Sequence, residues 1–370
     1  MSTYGTTRHH HSPAAGATFS SKDRVADYHT TLFRRLTWEG TVPLEIRVDS
    51  KELPANSDRG LECYYIQAPR VSYLPLIMPE IKRFLMDVVF DEAAAQDLKD
   101  EEWWFEGEYG TSLKWHWPIG LIYDNFTIST SIRPSTSQSP ATVPLRVVLH
   151  LASPPTDKLL LQPSIEACKQ AFMGQLKEAD FIRWGSTKRM TGLRKAEQDG
   201  IWEGIRDHNF DNFWKVAAKV TPSTSMQGRP QSPNAPPPSS ASMVNRPPSA
   251  DPGGPSDKEG AYTVRSVPAR IYLPDGPVMQ DLVPPMTEDG NPQTLADFLS
   301  TRLPSLFPLR PPAPPPSRAN PRPQAPPVND LGYVLIQGVM APMDAEIAWL
   351  SACMAGADGW LNVCVGIKKE

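Results

Sequence analysis

Seven histidines and four cysteines are the residues of this 370-residue chain best suited to ligate a metal or attack a carbonyl carbon, and their placement argues against both. His9, His10 and His11 stand in a Ser-, Thr- and Gly-rich stretch without hydrophobic periodicity, which reads as a solvated tail. His29, His116, His150 and His208 are far apart in sequence. Cys63, Cys168, Cys353 and Cys364 show no CxxC spacing, so neither a zinc knuckle nor a disulfide framework is signalled. Cys168 and Cys364 also fall on predicted apolar faces, where a thiol packs rather than reacts. The GxSxG, HExxH and phosphate-cradling P-loop patterns are missing, and the sequence predicts no catalytic centre, cofactor or metal. One concentration of charge is left: Arg183, Lys188, Arg189, Arg194 and Lys195, five cations in residues 183–195 with no acidic residue among them. Such a run is a candidate contact for anionic lipid headgroups or an acidic partner, against the alternative of a solvated helical face. With a net charge of -4 and no second basic cluster, nucleic acid is not an expected partner.

The elements that must carry these residues are legible in the periodicity. Val42, Leu44, Ile46 and Val48 alternate as on a half-buried strand, ECYYIQAP supplies a second strand, and Ile77, Ile81, Phe84, Leu85 and Val88 recur at helical spacing. An aromatic strand in EWWFEGEY and a β-rich run TVPLRVVLHLAS follow. A similar order returns near the C-terminus. AYTVRSVPARIYL and PVMQDLV read as a hairpin around Asp275-Gly276, then a helix capped by Thr294, a strand GYVLIQG, a short helix and a last strand WLNVCVGI. This is the β-grasp order of ubiquitin-like domains, present twice, with Phe84 and Phe298 expected to be buried against their sheets. Between the copies, Ser164 is placed to cap a helix that stacks Ile165, Cys168, Phe172, Leu176 and Ala179 on one face, leaving Lys177 off that face and in solvent. Trp202 and Trp214 belong to a further aromatic-rich helical segment and read as core.

Proline sets the boundaries: 21 of the 41 prolines fall within residues 221–258 and 304–328, whose composition cannot offset the entropy of ordering. Pro230, Pro233 and Pro236 keep a polyproline repeat, but no arginine stands at the spacing that orients such ligands, so a spacer is the expected role. The domains expected are a disordered tail 1–30, a first ubiquitin-like domain 31–155, a helix-rich domain 160–220, a proline-rich linker 221–258, and a second ubiquitin-like domain 259–370 with a disordered insertion 304–328. No stretch approaches the length of a membrane span and the N-terminus lacks a secretory core, so a cytoplasmic chain is expected.

Four strings carry a more specific signal: APRVSYLPL (68–76), TSLKWHWPIGLIYD (111–124), FMGQLKEAD (172–180) and NFDNFW (209–214). In this order they resemble the signature segments of the autophagy protein 5 family, and with the two β-grasp patterns the resemblance spans residues 31–370. It implies an α+β fold of two ubiquitin-like β-grasp domains flanking a helix-rich domain, in a chain that is not itself a thioester enzyme. By the same resemblance Lys177 is the isopeptide acceptor for the ubiquitin-like autophagy protein 12, and the chain binds the N-terminal helix of autophagy protein 16. As the conjugate it acts in an E3-like way, promoting transfer of autophagy protein 8 from its E2-like enzyme to phosphatidylethanolamine, peripherally at the preautophagosomal membrane. An ordinary lysine, with a pKa of roughly 10.4, is only about 0.04% neutral at pH 7, so activation must come from the conjugating enzyme. The tail, linker and insertion exceed the family's compact pattern. The competing reading is a proline-rich adaptor that uses ubiquitin-like folds for binding without conjugation.

Overall fold

The computed structural model describes residues 21–53, 63–90, 99–131, 144–160, 163–224, 260–274, 276–309 and 330–368. The His9–His11 triplet, Asp275 and most of the two proline-rich spans lie outside these residues. Helix α1 (Ser21–Glu39) leads into a sheet of β1 (Thr41–Val48), β2 (Tyr64–Pro69), β3 (Trp104–Gly107), β4 (Thr111–Ser112) and β5 (Leu145–His150), in spatial order β2-β1-β5-β3-β4. The central pair β1 and β5 is parallel and every other pairing is antiparallel. Two helices belong to this unit, α2 (Leu74–Val88) and α3 (Ile119–Ser131). The middle of the chain is helical: α4 (Ile165–Trp184), α5 (Lys188–Thr191), α6 (Lys195–Arg206) and α7 (Phe210–Ala217). The second unit repeats the first, with β6 (Val267–Tyr272), β7 (Met279–Val283), α8 (Leu295–Arg302), β8 (Gly332–Ile336), β9 (Val339–Met340), α9 (Ile347–Met354) and β10 (Leu361–Ile367). Its sheet order is β7-β6-β10-β8-β9, again with a parallel central pair. The fold is α+β, two ubiquitin-like β-grasp units around a helical middle.

The expected strands form where alternation marked them: Val42, Leu44, Ile46 and Val48 all point into the first core. Thr294 accepts from the Asp297 amide while Asp297 reaches back to the Thr294 amide, a reciprocal cap that starts α8. Phe298 is buried as expected, whereas Phe84 is only half-buried, its ring 4.8 Å from that of Tyr64 at the sheet margin.

Several boundaries differ from the sequence expectation. The chain is helical from Ser21, so α1 occupies the last third of the stretch read as a tail, and Thr30 is buried beside Thr224. That contact, with the Ala261 amide donating to the Ser223 carbonyl at 2.8 Å, also holds residues 221–224, the expected start of the linker. The insertion begins later than residue 304, because Phe307 is fully buried in the second core and the Leu306 carbonyl accepts from Leu331. The aromatic strand is shorter than EWWFEGEY: Tyr109 and Gly110 take positive φ angles of 66° and 75° and turn β3 into β4. Helix α3 is an element that periodicity does not reveal. Its apolar residues are covered from two sides, and its polar ones, Asp124, Asn125, Thr127, Ser129 and Thr130, are spread round the helix rather than gathered on one face, so no polar stripe marks it.

Candidate functional site

The site is built on α4. Ser164 caps it by accepting from the Ala167 amide at 3.0 Å, and Gly185 ends it in the left-handed conformation with φ 68°. Cys168, Phe172, Leu176 and Ala179 form its buried face, while Ile165, placed on that face by spacing, is exposed in the first turn. The inner face of α4 touches both units: Phe172 meets Tyr73 of the first and Trp202 of α6, and Ala179 and Ile182 pack on Trp360 of the second.

Lys177 is exposed at the middle of this helix. The residues either side of it are held to the second sheet. Arg270 on β6 lies 3.7 Å over the Trp360 ring, donates to Gln175 Oε1 at 2.5 Å and pairs with Glu178 at 3.5 Å. Gln280 on β7 donates to Glu178 Oε1 at 3.1 Å, and the Trp360 indole N–H donates to the Gln175 carbonyl at 3.2 Å. The Glu178 carboxylate is thus engaged by β6 and β7. Asp180, less than one turn beyond Lys177, is buried and accepts from the Met190 amide; burial pushes its carboxyl above the usual range.

The basic run does not form one surface of five charges. Arg183 is 4% exposed, donates to the Gly359 carbonyl, and is pushed down to about 10 by burial despite Asp180 and Asp358 nearby. It is an internal tie between α4 and the second unit and is corrected out of the candidate lipid patch. The reason is register: residue 183 sits seven positions after Leu176, two helical turns along the same buried face. Lys188, Arg194 and Lys195 are exposed, and Arg189 lies half-buried with its guanidinium 4.0 Å over the Trp184 ring.

Other chemistry-bearing groups are accounted for by packing. Burial raises the Cys168 thiol to about 12 and the Cys353 thiol to about 11, and pushes Cys364 well above its usual value. Among the described residues, Asp49, Glu52 and His150 bring ligand-type atoms within 4.8 Å of one another. Here His150 Nδ1 is hydrogen-bonded to Glu52 at 2.9 Å and its ring is stacked on Trp104, which makes the group a cross-link between the ends of β1 and β5. Arg70 and Asp124 form a buried ion pair at 2.5 Å, and Asp124 also accepts from the Gly338 amide at 2.8 Å, joining the first unit to the β8–β9 turn of the second. Periodicity gives no sign of this joint, since Arg70 and Asp124 lie in separate strings, APRVSYLPL and TSLKWHWPIGLIYD, that meet only in the folded chain.

Three family models match in chain order: autophagy protein ATG5 UblA domain over residues 37–151, its alpha-helical bundle region over 165–223 and its UblB domain over 266–365. The chain belongs to the autophagy protein 5 family. Autophagy protein 5 of Phaeosphaeria nodorum is 27% identical over 361 residues, covering 91% of this chain and 97% of its own. Those of Aspergillus clavatus and Penicillium rubens are 29% and 28% identical, each over 90% of this chain and 96% of theirs. The crystal structure of Kluyveromyces marxianus Atg5 shares the fold at a TM-score of 0.60 and 20% identity, covering 90% of this chain and 99% of that one. Membership in this family places the protein in autophagy. No helix of the described residues is long and apolar enough to cross a membrane.

Proposed function

We propose that this chain is a noncatalytic acceptor scaffold of autophagy, with Lys177 taking the C-terminal carboxyl of the ubiquitin-like autophagy protein 12. It binds the N-terminal helix of autophagy protein 16, and as the conjugate it promotes transfer of autophagy protein 8 from its E2-like enzyme to phosphatidylethanolamine. The observation that carries this reading is an exposed lysine in FMGQLKEAD, at the centre of a helix whose inner face is locked to both ubiquitin-like units. In the step itself the neutral Lys177 amine attacks the thioester carbonyl carbon of the donor; the N–C bond forms, the C–S bond breaks, the thiolate leaves and the amine proton passes to it or to water. The raised pKa values of Cys168, Cys353 and Cys364 support an acceptor role, because a thiol held protonated is a poor thioester carrier. For the membrane, Lys188, Arg194 and Lys195 with Arg189 are the proposed peripheral contact to anionic lipid of a cytoplasmic chain. The test is reconstitution with the modifier and its E1-like and E2-like enzymes, followed by peptide mapping. The scaffold reading requires a branch at Lys177 that Lys177→Arg abolishes, since arginine offers no neutral primary amine. Conjugate at normal yield on that variant overturns the assignment, and no conjugate on the wild type returns the protein to the adaptor reading.

A further inference from the structure

The solvent face of α4 carries two residues that the protein's own fold does not explain, and they stand on either side of Lys177. The first is Gly174, at mid-helix, where glycine is the poorest former after proline. A helical glycine is retained where another backbone comes close, and Gly204 in α6 is such a case: a Cβ there would meet Phe213 at 2.8 Å. A Cβ at Gly174 would meet nothing within 4 Å, and its φ is not positive. Neither packing nor backbone conformation within the chain calls for glycine at this position. The second is Phe181, 53% exposed on the same helix that buries Phe172. At 100° per residue Gly174, Lys177 and Phe181 fall within about 60° of one another and cover about 10 Å of helix, which is the length of about three extended residues.

We propose that this strip is the landing surface for the C-terminal tail of the thioester-linked ubiquitin-like donor, with Gly174 and Phe181 as positioning residues for transfer to Lys177. The inference rests on Lys177 being the acceptor. A tail that ends on the Lys177 amine must lie against α4 over its last residues, because a side chain reaches only a few ångströms beyond the helix surface. The missing Cβ at Gly174 leaves clearance for backbone to run close to the helix, and Phe181 supplies an apolar contact one turn beyond the lysine. The Glu178–Arg270–Gln280 contacts hold the helix against the second sheet, so the strip is presented on a fixed element.

The chemistry makes folding and transfer move in opposite directions, which separates a positioning role from a structural one. Gly174→Leu improves helix propensity and its Cβ enters open space, so its melting temperature should equal or exceed that of the wild type by about 2 °C. The same variant fills the lane, and single-turnover transfer from a preformed E2-like thioester to the full chain should fall about tenfold or more in kcat/KM. Phe181→Ser should raise the half-saturating donor concentration while leaving the rate at saturation and the melting temperature in place. Discharge of the same thioester onto free lysine controls for the donor. Should the wild type be modified at a residue other than Lys177, the acceptor reading falls and this inference with it. Should Lys177 be modified and both variants transfer within about twofold of the wild type, the acceptor reading stands and the landing strip is refuted.

Discussion

The two β-grasp units share strand order and pairing sense, yet their last strands are treated differently by the rest of the molecule. In the first unit β5 alternates, burying Leu145, Val147 and Leu149 and leaving Arg146 exposed, with Val148 and His150 half-buried, as in a sheet covered on one face. In the second, β10 is buried from Leu361 through Gly366. Its own helices α8 and α9 cover one face through Leu295, Phe298, Leu299 and Leu350. Helix α3 of the first unit covers the other, where Leu121 and Ile128 pack on Tyr272, Leu335 and Cys364. What the second unit presents as a sheet surface is therefore interior to the whole protein. One fold pattern leaves one face of its last strand partly open in the first unit and has both faces covered in the second, and the difference lies in where α3 places its second face.

The comparison breaks most severely at Asp124. Asp124→Ala strands the buried Arg70 guanidinium and removes the acceptor for Gly338, and should cost about 4 kcal/mol by urea unfolding. A loss below about 1 kcal/mol would mean that the two units are not coupled through this pair. Next in size is the covering of β10: Ile128→Ala should cost about 3 kcal/mol, while Val148→Ala on the open side of β5 should cost under about 1 kcal/mol. Equal costs would remove the asymmetry between the units.

His116 sharpens the picture through pH. Burial, aided by Lys114 and Arg270, lowers its pKa to about 4. The unfolded chain, with the ordinary value of about 6.5, then takes up the proton first, so this contribution is complete above pH 6.5 and is lost as pH falls toward 4. His116→Gln should remove about 1 kcal/mol of that dependence, a figure reduced for the partial exposure of the ring. Buried Asp124, Asp180 and Asp358, whose pKa values are raised, act in the opposite sense as pH rises above their unfolded range, so the informative quantity is the difference between variant and wild type. A variant curve parallel to wild type from pH 4 to 7 would contradict a neutral buried imidazole. The smallest effect on folding belongs to Lys177→Arg, below about 0.5 kcal/mol, since the side chain is exposed on a helix held by other residues. A larger loss would show that Lys177 takes part in the clamp made by Glu178 and Arg270.

Local pattern determined much of this protein: the strands through Val42–Val48 and Val267–Tyr272, the caps at Ser164 and Thr294, the buried stripe of α4 and the solvent position of Lys177 all follow from spacing and side-chain chemistry that act over a few residues. The proline-rich spans stood out in the same way, although their edges did not, because Thr224 and Phe307 are held by partners far along the chain. The tertiary structure alone decided what lies on second faces. Helix α3 escaped detection because burial on two sides erases the polar stripe that would have marked it. Arg183 read as surface charge because charge counts carry no direction, and only the Gly359 carbonyl and the packing of α4 on Trp360 turn it inward. The Arg70–Asp124 joint arises when separate segments meet, and the Gly338 amide and the Gly120 carbonyl supply backbone hydrogen bonds that offset part of the cost of burying the pair.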